Sequence, residues 1–373
     1  MTASRDRFVQ GVLQNSDRRI GASLLRGLLT PLAWLHRGVL EAYLLPYNLG
    51  LRKRFRLVKA NGQPVPVIAI GNLSSGGTGK TPMAQLVAGH LQKRGLRVAL
   101  LSRGHGGSGE SGRTSRIVSD GKSVLLTPES AGDEPILLAN SLPGVPVIVG
   151  RDRRASGRLA VQTFAPDIIV LDDALQYWQL HRDLNIVLLD ARRPFDNGSI
   201  LPRGLLREPP SHLKRAGIVV LTRANRAVPD ALAKNVEQAQ HLAPDAAVFT
   251  ATHAPIGWVC ASDSAVLPLN ALSQEPALAF SGIADGRAFV ESVRSLGVSV
   301  MDSRDFGDHH VYGPTDIAAL NGAKDARIAV TTEKDLVKVA LLWPADGIPL
   351  YALRIGMAVQ DEARFFATLD SFV

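Results

Sequence analysis

The chain has one cysteine, Cys260, in 373 residues. That excludes an intrachain disulfide framework and a cysteine-based zinc site, and it suits a reducing compartment. No N-terminal segment joins a basic start, a continuous apolar run and a small-residue cleavage site, so secretion is not expected. Tandem repeats and low-complexity tracts are absent too. In the first sixty residues no uncharged run exceeds ten residues, about half of what a membrane-spanning helix needs. Beyond residue 60 the chain has no net charge. Residues 1–60 hold eleven Lys/Arg against Asp6, Asp17 and Glu41, so the whole balance of +8 resides there. A generally basic nucleic-acid binder would spread its charge over the folded body, and this chain does not. What is present is a globular composition, 46% apolar and 20% charged, long enough for two or three domains.

The residues from Gly71 to Thr81, GNLSSGGTGKT, follow the apolar run Val65 to Ile70 and precede a helix-like stretch. Strand, glycine-rich turn and helix in that order cradle a nucleotide polyphosphate. Gly76, Gly77, Thr78 and Gly79 let backbone N–H groups converge on phosphate oxygens, and the helix N-terminus adds positive potential. Lys80 then reaches the β- and γ-phosphates, and the Thr81 hydroxyl meets Mg²⁺. One residue departs: the first glycine of the strict spacing falls at Ser74. The other reading of the segment is an ordinary flexible loop.

From residue 65 onward short apolar runs alternate with helical stretches: Val65–Ile70, Val98–Leu101, Ile168–Leu171, Ile186–Leu189 and Ile218–Leu221. A second set follows at Ala277–Phe280, Val298–Met301, Ile328–Thr331 and Leu350–Leu353. The pattern predicts an α/β fold, a parallel-sheet P-loop domain with a second, smaller α/β domain. The expected division is a basic amphipathic helical region at 1–60, a core at 61–255 and the smaller domain at 256–373. The break is read from His253-Ala-Pro-Ile-Gly and Leu267-Pro. In the front region Thr30-Pro31 reads as a helix start, with Leu32, Leu35, Val39 and Tyr43 at helical spacing until Pro46. Followed by Arg52, Lys53, Arg54 and Arg56, that face suits an anionic membrane surface or packing on the protein's own body.

Ile168–Leu171 ends in Asp172-Asp173, as a magnesium-binding strand of a P-loop NTPase does, and a capped strand-end turn is the alternative. Asp133 sits in the acidic turn GDEP at 132–135. Asp308-His309-His310 lies in a late loop with Tyr312, where a histidine beside a carboxylate can take a proton from an attacking hydroxyl. Isolated turns of this kind are also common structural features. The long connection from Ala191 to Ala216 carries Arg192, Arg193, Arg203 and Arg207, suited to clamping anions or simply solvated.

Taken in serial order, these motifs resemble the tetraacyldisaccharide 4'-kinase family, the lipid A 4'-kinases. The shared stretches are GNLSSGGTGKTP at 71–82, LSRG at 101–104, GDEP at 132–135, GRDR at 150–153 and VLDDALQ at 170–176. They continue with DLNIVLLDA at 183–191, LPRGLLRE at 201–208, VLTRAN at 220–225, DHH at 308–310 and TTEKD at 331–335. The resemblance implies transfer of the γ-phosphoryl group of ATP, with Mg²⁺, to the 4'-hydroxyl of a tetraacylated disaccharide 1-phosphate. It implies a peripheral protein on the cytoplasmic face of the inner membrane; neither a nucleic acid nor an obligate protein partner is expected. Residue by residue, Asp133 is the implied catalytic aspartate, paired with His309 in preference to His310. Lys80, Gly76 to Thr81 and Arg207 are the implied nucleotide contacts. Thr81, Asp172 and Asp173 are the implied metal residues, with Gln176 and Glu208 beside them. Ala174, Tyr177 and His105 depart from the family pattern and leave details of lipid and metal contact open. The rival readings are a regulatory P-loop GTPase or metallochaperone, reading guanine through Thr222 to Asn225, and a membrane-bound nucleotide-gated adaptor.

Overall fold

The computed structural model describes residues 11–13, 15, 17, 19–107, 114–283, 285–308, 310–323 and 325–373. In chain order the strands of these residues are β1 (Val67–Asn72), β2 (Val98–Ser102), β3 (Arg116–Ser119), β4 (Val147–Val149), β5 (Ile168–Leu171), β6 (Leu184–Asp190) and β7 (Ile218–Thr222). They continue with β8 (Ala247–Cys260), β9 (Val266–Leu267), β10 (Pro276–Ser281), β11 (Ser299–Asp305), β12 (Ile328–Thr332) and β13 (Leu350–Val359). All nine apolar runs read from the sequence are strands, which makes this the expected α/β fold.

The chain forms two compact units, and neither is one contiguous block. One contains residues 1–103, 152–252 and 357–373, and the other contains 104–151 and 253–356. A division near residue 255 therefore separates 104–151 and 357–373 from the residues they cluster with. The region around His253 continues as strand β8 through Pro255.

In the first unit the strands lie in the order β8-β7-β6-β1-β5-β2, with every adjacent pair parallel. All six residues of β1 are buried, as a central parallel strand covered on both faces requires. The chain leaves β1 toward β2 and β5 on one side and later adds β6 and β7 on the other. The carboxyl end of β1 is thus a topological switch point, where α/β folds bind ligands. The Lys80–Lys93 helix buries Met83, Ala84, Val87, Ala88 and Leu91 along one stripe. The final helix, Glu362–Asp370, joins it through Asp370, which accepts from His90 at 3.0 Å and Arg94 at 2.6 Å.

The front helix runs Ile20–Asn48 and contains both Pro31 and Pro46, so neither proline marks an end. Thr30 is no cap; its hydroxyl donates to the Arg26 carbonyl at 2.8 Å. Each proline in a helix interior costs roughly 3 kcal/mol. Burial of Ala22, Ala33, Leu44 and Tyr47, together with bonds from His36 to Leu201 O and between Glu41 and His212, holds the helix through both. Only that narrow face packs on the unit. The residues singled out by periodicity point away from it: Leu32, Leu35, Val39 and Tyr43, extended by Ile20, Leu24 and Leu28, form one exposed stripe.

In the second unit β10 lies between β11 and β12, and β13 pairs β12, all parallel. Side chains alternate between faces. Ala277, Ala279, Ile328 and Val330 pack with Trp258, Phe289 and Val293 on one side. Leu278, Phe280 and Ala329 pack with Tyr312, Ile317 and Leu320 on the other. The short antiparallel pair β3–β4 belongs to the same unit.

Candidate active site

Gly76 and Gly79 adopt φ of 135° and 88°, conformations that side-chain-bearing residues rarely take. They turn the chain between β1 and the helix that starts at Lys80. Ser74 needs no such freedom. It forms a short antiparallel bridge to Leu206, which explains why serine serves where a glycine is expected. The loop is braced from several sides. Asn72 donates to Gly76 O at 3.2 Å, Thr222 Oγ1 to Thr78 O at 2.9 Å, and Arg223 to Gly77 O. Ser75 N donates to Leu205 O at 2.7 Å, and Arg207 N to Leu73 O at 2.6 Å.

Four predicted side chains meet at the mouth of this loop. Asp173, at a left-handed φ of 46°, lies 3.8 Å from Lys80 Nζ and accepts from Arg207 Nη1 at 3.1 Å. Gln176 donates to Asn72 O at 3.0 Å and turns its carbonyl oxygen toward Arg207. Asp172 beside it is only 1% exposed. Thr81 is the second residue of the helix. These donors are carboxylate and hydroxyl oxygens, a set for a hard cation such as Mg²⁺, which is held by one or two carboxylates plus phosphate oxygens. Among the described residues no three His, Cys, Asp or Glu side chains form a preformed metal cluster. A loop of backbone N–H groups ending in lysine, next to such oxygens, fits a magnesium–nucleotide.

The arginines of the 191–216 connection do not act as one clamp. Arg207 reaches Asp173, whereas Arg203 bonds Asn15 at 3.1 Å. Arg192 and Arg193 line a cavity of about 580 Å³ beside Ser74–Thr78, with Asp190, Asp196, Arg223 and Arg226. Burial opposes the charge on Asp190, but hydrogen bonds from Arg192 and Arg223 outweigh it and draw its carboxyl down to about 2. Glu208 does not face the loop. It is buried against His212 and Arg215. Tyr177, a departure from the family pattern, donates to Asp152 at 2.6 Å. Burial, then that carboxylate, pushes its phenol up to about 12.

In the second unit Asp133 is the first residue of the Asp133–Ser141 helix. It lines a cavity of about 810 Å³ with His105, Glu134, His310, Lys338 and an apolar wall of Val311, Val337, Leu341 and Leu342. Gly132 has φ 91°, and a Cβ there would stand 2.5 Å from His105 O, so the 104–107 turn and the GDEP turn lock together. Lys338 Nζ lies 3.5 Å from Asp133 Oδ2, and Lys334 Nζ lies 3.7 Å from Asp308 Oδ1. His310 bonds Asp316 at 3.0 Å and stacks on Phe306. His309 lies outside the described residues. Sequence reasoning missed Thr222 and Arg223 as loop braces, having weighed them as a guanine reader, and missed Lys338, three residues beyond TTEKD.

A braced glycine-rich loop at a parallel sheet's switch point, with lysine and strand-end carboxylates at its mouth, defines a P-loop nucleotide-binding α/β protein. Comparison with known proteins narrows the class. The chain belongs to the tetraacyldisaccharide-1-P 4'-kinase family, whose model matches residues 25–373. It is 40% identical over 349 residues to the tetraacyldisaccharide 4'-kinase of Desulfatibacillum aliphaticivorans, covering 89% of this chain and 92% of that one. Against the enzyme of the same name from Geobacter metallireducens it is 42% identical over 336 residues, 87% and 95% of the two chains. The crystal structure of LpxK from Aquifex aeolicus in complex with ATP superposes with a TM-score of 0.75 at 30% identity, covering 93% of this chain and 99% of that one.

Proposed function

We propose that this chain is a lipid kinase that transfers the γ-phosphoryl group of ATP to the 4'-hydroxyl of tetraacyldisaccharide 1-phosphate, a step of lipid A biosynthesis. Family membership supports the reaction. The observation that carries the reading is the convergence of Lys80 and Arg207 on Asp173 at the mouth of the glycine-rich loop, with Gln176 turned toward Arg207. The GTPase reading loses its guanine reader, because Thr222 and Arg223 are spent on Thr78 O, Gly77 O and Asp190.

Magnesium–ATP, when bound, supplies the phosphoryl group and neutralises the charge spread over its oxygens. Gly76 to Gly79 offer their N–H groups to that polyphosphate, and Lys80 and Arg207 hold its outer oxygens. Thr81, Asp172 and Asp173 are the proposed metal residues. A sugar hydroxyl ionises far above neutral pH, so its attack gains from a base, and the Asp133 carboxylate takes that proton. His309 is proposed as its partner. His310 is spent on Asp316 and Phe306 and shapes the wall instead. Lys80 and Asp133 belong to different units, and the second, smaller α/β part is proposed to close over the nucleotide.

Among the described residues no helix is long and apolar enough to cross a membrane. The exposed stripe of the Ile20–Asn48 helix supports peripheral attachment to a membrane surface, proposed to be the cytoplasmic face of the inner membrane. Incubation with labelled ATP and the lipid disaccharide 1-phosphate should give a labelled bisphosphorylated lipid. Turnover of GTP but not ATP, or ATP consumption indifferent to the acceptor, overturns the proposal.

A further inference from the structure

We infer that Lys338 is a positioning residue that fixes Asp133 and the backbone at His310 in one geometry, assisted by Lys334 at Asp308; the inference rests on the reading of Asp133 as the base. Both lysines belong to the Glu333–Val339 helix. Four residues apart, they share a face of it. That short helix is pinned at its start. Thr332 Oγ1 accepts from Asp335 N at 3.1 Å, and the fully buried Asp335 accepts from Gly282 N at 3.0 Å and from the Thr332 hydroxyl at 2.7 Å. Arg354 also holds Glu333 at 2.7 Å. The helix therefore presents its lysines from a rigid base.

Each lysine has its own partner. Lys334 Nζ lies 3.7 Å from Asp308 Oδ1, and Lys338 Nζ donates to His310 O at 3.1 Å. The same Lys338 ammonium reaches Asp133 Oδ2 at 3.5 Å, with only 13% of its side chain exposed. One nitrogen thus joins the His310 backbone to the proposed base. Stability alone is a poor account of this arrangement, since an ion pair of partly exposed groups is worth about 0–1 kcal/mol. Geometry is the better one: a base displaced by about 1 Å can cost ~10²-fold in rate. Glu129 and Glu134 also line the cavity, so without Lys338 the Asp133 carboxylate faces like charges.

The test uses the full chain with ATP and the lipid disaccharide 1-phosphate, reading kcat, both KM values and Tm. Lys338→Met should lose about tenfold to a hundredfold in kcat, with KM for ATP and Tm near those of the unmodified chain. Lys338→Arg should recover most of the rate. Lys338→Gln, which keeps a donor for the His310 carbonyl but no charge, serves if methionine disrupts folding. In an Asp133→Asn background the Lys338 change should cost less than about threefold more, because residues acting as a unit are not additive. Full kcat in Lys338→Met beside an inactive Asp133→Asn overturns this inference alone, as does strict multiplication of the two losses. Full kcat in Asp133→Asn overturns the base assignment and this inference with it.

Discussion

Glu208 is 1% exposed and still charged. Burial opposes that charge, but hydrogen bonds from His212 and Arg215 outweigh it and draw the carboxyl from 4.5 down to about 2. A depressed carboxylate contributes stability that is fully present above its unfolded value and is lost as pH falls through its folded one. The window here runs from 4.5 down to about 2, and a shift of this size is worth about 3 kcal/mol. Urea unfolding at a series of pH values should show that loss in the unmodified chain. In Glu208→Gln the stability should already be lower at neutral pH, with a shallower slope across the same window. A second residue-scale expectation is that Asp133→Asn loses ~10²-fold or more in kcat while ATP affinity stays nearly intact, as steady-state kinetics and nucleotide titration would reveal. A collapse of ATP binding in that variant removes Asp133 from the base role. Lys80 was legible because P-loop chemistry fixes its place in the loop, and Asp173 because it closes an apolar strand, whereas Gln176 and the particular role of Arg207 came from the resemblance to the family. The surroundings of Glu208 were not legible, since one of them, Glu41, lies 167 positions away in the chain, joined through His212.

Among the elements, the GDEP turn has little freedom. Gly132 combines φ 91° with ψ 154°, a region open essentially to glycine alone, where another residue costs of order 1–3 kcal/mol. Gly132→Ala should lower Tm and also reduce kcat, because its Cβ would strike His105 O and shift the helix that begins at Asp133. A thermal melt and an activity assay on the same preparation test both effects; unchanged values in the two would refute the tight-turn account. The parallel strands were legible because each is a short apolar run between helical stretches. The front helix was only half legible. Proline reads as a boundary when intrinsic cost is all one can see, whereas burial of Ala22, Ala33, Leu44 and Tyr47 on one face carries the helix across two of them. Strand β8 was hidden for a similar reason: Pro255 and Gly257 look like breakers, yet the strand runs from Ala247 to Cys260.

At the scale of the whole molecule, periodicity finds elements but not which distant stretches cluster. That 104–151 belongs with 253–356 follows from packing that composition does not record. Charge distribution is different, for it survives folding and can be read directly: all of the net +8 lies in residues 1–60. Not every cation there is free for a membrane. Arg54 sits over the rings of Tyr47 and Trp178, and Arg56, though more than half of its side chain is exposed, bonds His181 and lies 4.0 Å from Asp183. Deleting residues 1–60 would be a poor test, since it strips the buried Leu44, Tyr47 and Leu57 from the fold. Substitution of the exposed stripe is cleaner. Leu28 and Leu35 are 72% and 66% exposed, so Leu28→Asp with Leu35→Asp should leave Tm close to that of the unmodified chain. The pair removes apolar area from the membrane face and adds negative charge beside it. Basic residues near an anionic surface are worth about 1 kcal/mol each, and raising salt from about 0.1 M to 1 M shortens the screening length from ~10 Å to 3 Å. The unmodified chain should therefore sediment with phosphatidylglycerol-containing vesicles, less so at high salt, and poorly with neutral phosphatidylcholine. The double variant should remain largely in the supernatant under all three conditions. It should also phosphorylate the lipid acceptor in vesicles far more slowly than the same acceptor in detergent micelles. Equal sedimentation of the two proteins at low salt would mean that the stripe does not meet the membrane.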